Sequence, residues 1–231
     1  MSLCKTVASI LAAGFLSLAI GASNLYTNEP PKQQPIESTY NKGYYNKVRS
    51  SERPKDTSID KLVIHYTAGD TVCGSVEALQ KKHCSYHYII DRNGTIYQLV
   101  DNERMAYHAR ADLEDKLAYN KDSIGISLAN YSWVYKGKDK KFHNRYGVLY
   151  AGKIQEVKDI KTIKKYDWKR YWEPYTDKQQ QALNDLCRKL TLDYKIKIDR
   201  DHIYGHEDIS TNNTDPGPVF NWEEFYQNLK K

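Results

Sequence analysis

Two histidines and one aspartate, far apart in the chain, are of the types that hold a catalytic metal: His65 at the end of KLVIHY, His206 in YGHEDI and Asp215 in NTDPG. Imidazole and carboxylate suit zinc, and three protein ligands leave a fourth tetrahedral position open for a water that the metal acidifies, as in hydrolytic sites. Each residue also has an ordinary reading. A histidine at a strand end is commonly a packed, hydrogen-bonded core residue, and Asp-Pro-Gly is commonly a turn. No HExxH-type signature ties the three together, so spacing alone leaves both readings open.

The elements that would carry these residues can be read along the chain. Its 231 residues are 40% hydrophobic and 28% charged, enough for one domain with its own core and too polar for a polytopic membrane protein. Lys61–Tyr66 reads as a buried strand ending in the turn signal Thr67-Ala68-Gly69. Residues 75–82 read as a short helix. Residues 86–91 and 95–100 read as a hairpin whose Asn93-Gly94 pair would supply the positive φ angles of a tight turn. Residues 123–129 alternate as a central strand. Thr176 and Gln179 form a capping-box pattern ahead of a helix in which Leu183, Leu186, Cys187 and Leu190 recur at helical spacing. A last helix is predicted from about Trp222 to Leu229, capped by Asn221. Strands alternating with helices predict an α/β fold, a central mixed β-sheet flanked by helices in a single domain.

Residues 1–22, with Lys5, an apolar run over 7–20 and small residues at Ala19, Gly21 and Ala22, read as a secretory signal, the alternative being a single membrane anchor. Export predicts a periplasmic or secreted protein with no stable membrane insertion once the signal is removed, in an oxidising compartment where Cys73 and Cys84 could be joined. Four cysteines without a CxxC pair exclude a disulfide-built scaffold and a zinc finger. Residues 23–56, with Pro30, Pro31, Pro35 and Pro54, read as a polar linker or wrapping arm ahead of a domain spanning 57–231. The net charge of +6 favours anionic partners without pointing to nucleic acid. All of that excess is local: residues 131–172 hold twelve Lys or Arg against four Asp or Glu, so this segment is +8 and the remainder −2. Interleaved with Trp and Tyr, it reads either as a saccharide or anionic-polymer surface or as a solvated insertion.

VIHYTAG around His65, then SYHYIIDRNGTIYQLVDNERMAYHAR, SIGISLANY, YTDKQQQALNDL and YGHEDISTNNTDPGPVFNW, in that order, resemble the zinc-dependent N-acetylmuramoyl-L-alanine amidases of type 2, relatives of phage lysozyme-type amidases and peptidoglycan recognition proteins. The resemblance covers roughly residues 58–228, interrupted by the basic insertion. It implies a groove over one sheet face, zinc as cofactor, peptidoglycan or muropeptides as partner, and hydrolysis of the amide joining the lactyl group of N-acetylmuramic acid to L-alanine. By motif position it implies His65, His206 and Asp215 as the zinc ligands.

The helpers it implies are less uniform. Ser127 stands where one branch of the family has a glutamate, which closes that route for taking a proton from water. In the other branch a tyrosine before the HYxI-type strand assists, and Tyr86 occupies that position. Asn213 stands where the family usually offers Lys or Thr as oxyanion donor, and a gap of one between the motifs would bring Thr211 or Asn212 into place instead. His108, in AYHAR, resembles a position facing the substrate, the other reading being a structural hydrogen bond. His87 is expected on the opposite face from Tyr86, as a structural residue, and Glu207 as a possible outer partner of the ligand His206. Two competing readings accompany the amidase: a peptidoglycan-binding module with weak or no turnover on the same fold, motivated by Ser127 and Asn213, and a zinc peptidase acting on the stem peptide.

Overall fold

The structure, a computed structural model, describes residues 40–110, 118–167 and 169–231. Segment 1–22, with its signal reading, and residues 23–39 of the arm lie outside the described residues. In chain order the elements are β1 (Ser50–Glu52), β2 (Lys61–Tyr66), α1 (Val72–Lys82), β3 (Tyr88–Ile90), β4 (Ile96–Gln98), β5 (Arg104–Ala106), α2 (Ala118–Lys121) and β6 (Ser123–Leu128). They continue with β7 (Trp133–Lys136), β8 (Phe142–Asn144), β9 (Gln155–Glu156), α3 (Ile160–Lys165), β10 (Tyr171–Trp172), α4 (Asp177–Tyr194), β11 (Ile203–Gly205) and α5 (Trp222–Leu229).

A five-stranded sheet in the order β11-β2-β6-β3-β4 forms the centre. Its first four strands are parallel and β4 is antiparallel to β3, so the sheet is mixed, as expected. Strand alternation divides it into two faces. Leu62, Ile64, Tyr88, Ile90, Ile124, Ile126 and Leu128 pack against Leu183, Leu186 and Leu190 of α4 and Phe225 and Leu229 of α5. Each fully buried aliphatic side chain here contributes about 1.5–3 kcal/mol. The other face carries His65 and Ile89, with Ile89 packed under Val72, Val76 and Leu79 of α1.

The capping box of α4 forms as the sequence predicts, with the Thr176 hydroxyl accepting from Gln179 N–H. The same Gln179 donates from Nε2 to the carbonyls of Ala129 (2.9 Å) and Ile90 (3.3 Å), tying the helix start to the ends of β6 and β3. Cys187 is a free, fully buried thiol on the apolar face of α4, and burial pushes its pKa far up. α1 starts three residues before the expected helix because Thr71 caps it, accepting from Gly74 N–H. The hairpin turn differs from the two-residue form expected. Only Gly94 has a positive φ, of 86°, and Gly94 N–H bonds Asp91 O across a loop of three residues. The Asn93 side chain instead accepts from Thr95 N–H, which leaves its own backbone in an ordinary region. A disulfide between Cys73 and Cys84 is not formed, since Cys84 is a free thiol.

Residues 40–56 wrap the domain. Asn41 bridges to Tyr97, Tyr40 packs edge-on against Tyr88, and β1 pairs with β5. Arg53 closes the wrap. Its guanidinium donates to the carbonyls of Asn102 (3.0 Å), Asn120 (3.1 Å), Lys121 (2.7 Å) and Ser123 (2.8 Å), two of which end α2. Burial lowers its pKa to about 10, so it remains a cation at neutral pH. Arg53→Ala would leave several half-buried carbonyls without donors, and should cost about 2–4 kcal/mol of folding stability, read as a lowered denaturation midpoint.

The basic insertion is a folded unit. β8-β7-β10-β9 form an antiparallel sheet, with α3 between β9 and β10. Glu173, just past it, pulls its two ends together by accepting from Tyr131 N–H and donating its own N–H to Ser132 O. Arg92 of the hairpin turn grips the same carboxylate with two bonds, of 2.9 and 3.0 Å. Trp172, fully buried, packs with Tyr166 of the unit and seats it against Tyr66 of β2. No helix among the described residues is long and apolar enough to cross a membrane.

Candidate active site

His65 is the second-last residue of β2, opposite Ser127 in the pairing with β6. β11 lies parallel on the other side of β2, with Gly205 opposite Ile64, so the next residue, His206, emerges beside His65. Their ring centroids are 4.8 Å apart. Asp215 reaches the pair because its loop folds back on the same strand end: Glu207 N–H donates to Asp215 O at 3.0 Å. This return requires Gly205, since a Cβ there would lie 2.5 Å from Pro216 Cδ. Tyr175 Oη donates to Pro216 O and so holds the loop from outside.

The three candidate ligands therefore come together. Asp215 Oδ2 lies 2.7 Å from His65 Nδ1 and 3.2 Å from His206 Nδ1. Their donor atoms all fall within 4.8 Å of one another, and all three residues are buried. Burial pushes His65 down to about 4, so it is neutral at physiological pH. Burial alone would raise the Asp215 carboxyl, but the two imidazoles that face it, His206 and His65, outweigh it and hold the group well below the usual carboxylate range. Two imidazoles and an ionised carboxylate are the donor set and charge that a divalent metal requires.

The outer side of His65 strengthens that fit. His65 Nε2 meets His108 Nδ1 at 3.1 Å, and His108 Nε2 meets Ser123 Oγ at 3.2 Å. The Ser123 hydroxyl gives its one proton to Tyr119 O. It can then only accept from His108 Nε2–H, which leaves His108 Nδ1 to accept from His65 Nε2–H. In that tautomer His65 Nδ1 carries the lone pair a metal ligand needs, on the side of the Asp215 carboxylate. Gly125 makes room for this chain of bonds, because a Cβ there would sit 2.4 Å from His108 Cγ.

The helpers fall into different places. The Tyr86 ring lies 5.0 Å from that of His65 and lines the cleft. Flanking pairs fix its backbone, Ser85 with Tyr107 and His87 with Gly125. Burial and the Asp215 carboxylate raise the Tyr86 phenol far above its ordinary pKa, so it keeps its proton. His108 touches both His65 and the cleft. Asn213, expected to face an oxyanion, turns its Nδ2 to Ser210 Oγ (2.9 Å) and to His206 Nε2 (3.3 Å) instead. His87 is structural, accepting from Gly125 N–H and meeting Arg104 O at 3.0 Å. Its ring lies 5.7 Å from that of His108 and meets Arg53 Nη2 at 3.2 Å. Glu207 turns away from the ligands and accepts from Tyr166 Oη of the insertion at 2.7 Å.

The cleft above these groups has a volume of about 620 Å³. Among its described lining residues are four cations, Arg49, Lys82, Arg110 and Arg145, and a single carboxylate, Asp215. Neither the bond chain from Ser123 through His108 nor the cationic lining was singled out from sequence, because the residues are scattered over four elements and their connections.

The family model described as N-acetylmuramoyl-L-alanine amidase (Amidase_2) matches residues 55–218. The chain is 29% identical over 194 residues to the N-acetylmuramoyl-L-alanine amidase AmiD of Escherichia coli, covering 80% of this chain and 58% of that protein. It is 26% identical over 199 residues to the 1,6-anhydro-N-acetylmuramyl-L-alanine amidase AmpD of Haemophilus influenzae, covering 78% of this chain and 87% of that protein. A solved structure of E. coli AmiD, bound to the substrate anhydro-N-acetylmuramic acid-L-Ala-D-γ-Glu-L-Lys, superposes with a TM-score of 0.50 at 28% identity, covering 77% of this chain and 60% of that one. With a family model matched over residues 55–218, on a mixed sheet that gathers the histidine and aspartate motifs at one strand end, the chain belongs to the N-acetylmuramoyl-L-alanine amidase family of type 2.

Proposed function

We propose that this protein is an exported, zinc-dependent N-acetylmuramoyl-L-alanine amidase that acts on peptidoglycan or its muropeptide fragments. The observation that carries the reading is the convergence of His65 Nδ1 and His206 Nδ1 on one buried oxygen of Asp215, at 2.7 and 3.2 Å. His65, His206 and Asp215 would hold the zinc, which supplies Lewis acidity toward a carbonyl and lowers the pKa of water. The chain's own groups do the rest. His108 fixes the tautomer and orientation of His65. Tyr86, a protonated phenol beside His65, donates a hydrogen bond to an oxygen of the reacting amide and so favours the charge that develops there. The cationic lining suits the carboxylates of a stem peptide such as the one bound to E. coli AmiD.

Asn213 acts here through His206. Both of its contacts survive turning the amide over, after which Oδ1 accepts from His206 Nε2–H and leaves Nδ1 for the metal. Asn213→Ala should weaken zinc affinity by about 10–100-fold. Turnover should then return when zinc is supplied in excess. An oxyanion donor would behave otherwise, with turnover staying low at saturating zinc.

The reading is tested by incubating purified protein with muropeptides, with and without chelator, and weighing the products. Intact stem peptide released only without chelator supports an amidase. A shortened peptide indicates a peptidase, and binding without products indicates a recognition module.

A further inference from the structure

We propose that the tip and outer face of the basic insertion form a glycan-binding platform continuous with the cleft, so that the polysaccharide strand runs over Tyr135, Arg145 and Tyr146 beside the stem peptide being cut. This rests on the amidase reading and deepens it by naming where the polymer lies.

Of the six large apolar side chains exposed among the described residues, five belong to the insertion: Tyr135 (42%), Tyr146 (64%), Val148 (59%), Leu149 (57%) and Ile160 (50%). Four of these cluster on the β7–β8 side. Tyr135 Oη lies 3.7 Å from where a Cβ of Gly147 would be, between Tyr146 and Val148. The tip that carries them is built rather than loose. Asn144, 3% exposed, accepts on Oδ1 from the N–H groups of Tyr146 and Val148, both at 3.0 Å, and exchanges backbone bonds with Val148 and Gly147. Gly147 takes the φ of 80° that closes the turn.

One residue of the tip is tied to the cleft wall and its neighbour lines the cleft. Tyr146 Oη donates to the carbonyl of Ala68 at 2.9 Å, and both Ala68 and Arg145 line the cleft. Behind them, Tyr135 stacks on His143 with centroids 5.6 Å apart, and Trp133 lies 6.4 Å from Tyr135. Exposed rings beside aliphatic side chains suit the C–H faces of pyranose sugars, and Arg145 with Lys136, Lys138, Lys140 and Lys141 suits the carboxylates that stem peptides hang from the strand. Apolar patches of this kind mark interaction sites. A lipid surface would meet the same side chains, but the tether to Ala68 makes the platform an extension of the cleft wall, which favours the polymer that enters the cleft.

The test uses the full chain and two ligands: peptide-free strands of alternating N-acetylglucosamine and N-acetylmuramic acid, titrated by calorimetry, and a single-sugar muramyl tripeptide, assayed for peptide release. The double variant Tyr135→Ala/Tyr146→Ala should bind the strands at least about fivefold more weakly, while release from the single-sugar substrate stays within about twofold. Both side chains are exposed, and an unchanged melting temperature verifies the fold. Tyr146→Phe, which keeps the ring and loses the bond to Ala68, should retain most of the affinity. Unchanged strand affinity in the double variant overturns the platform. So does a preference of the wild type for vesicles of phosphatidylcholine and phosphatidylglycerol over strands. Strand binding by a wild type that releases no peptide would defeat the hydrolytic reading and still support the platform.

Discussion

Asp215→Asn is expected to strip zinc from the protein and to lower peptide release by at least about a thousandfold, several kcal/mol of barrier. The carboxylate supplies the negative charge that offsets a divalent ion, and its Oδ2 lies within bonding distance of both His65 and His206 Nδ1. An amide has no charge and can turn an N–H toward the His65 lone pair, filling with a proton the place a metal would take. The substitution is nearly isosteric, and the loop that carries it is held independently through Glu207 N–H and Tyr175 Oη. The variant should therefore keep its fold, with metal content measured by mass spectrometry falling to background. Full zinc occupancy in Asp215→Asn would mean that the ion is held elsewhere.

Tyr86→Phe should cut turnover at least about tenfold while leaving zinc content and fold intact. The ring stays, so its packing against His65 at 5.0 Å between centroids is preserved. Only the hydroxyl goes. Because burial and Asp215 push its pKa up, that hydroxyl is a donor at neutral pH, and its loss should appear in kcat more than in KM, as for a group whose hydrogen bond strengthens as charge develops. Unchanged turnover would remove Tyr86 from the mechanism and leave it as a wall of the cleft.

What the sequence discloses and what it hides follow from how local each feature is. β2, the hairpin and α4 are carried by short-range patterns: branched apolar runs, Asn93-Gly94, and Thr176 with Gln179. The ligand set is legible through ordered motifs, although only the return of the 215 loop onto Gly205 makes the residues meet. Long-range polar contacts escape such reading. Arg53 serves carbonyls 49 to 70 positions onward, and the bonds from Ser123 through His108 to His65 join three separate segments. The insertion hides its sheet because two of its strands are only two residues long, too short for alternation to register. The motif position of Asn213 suggests an oxyanion donor because it carries no sign of the side-chain direction that Ser210 and His206 impose.

The most direct measurement is an anomalous difference map at the zinc absorption edge from crystals of the zinc-loaded protein. A single peak bonded to Nδ1 of His65, Nδ1 of His206 and an oxygen of Asp215 is the predicted result. A peak at any other set of side chains, or those three groups turned away from a common point with zinc in excess, would contradict it.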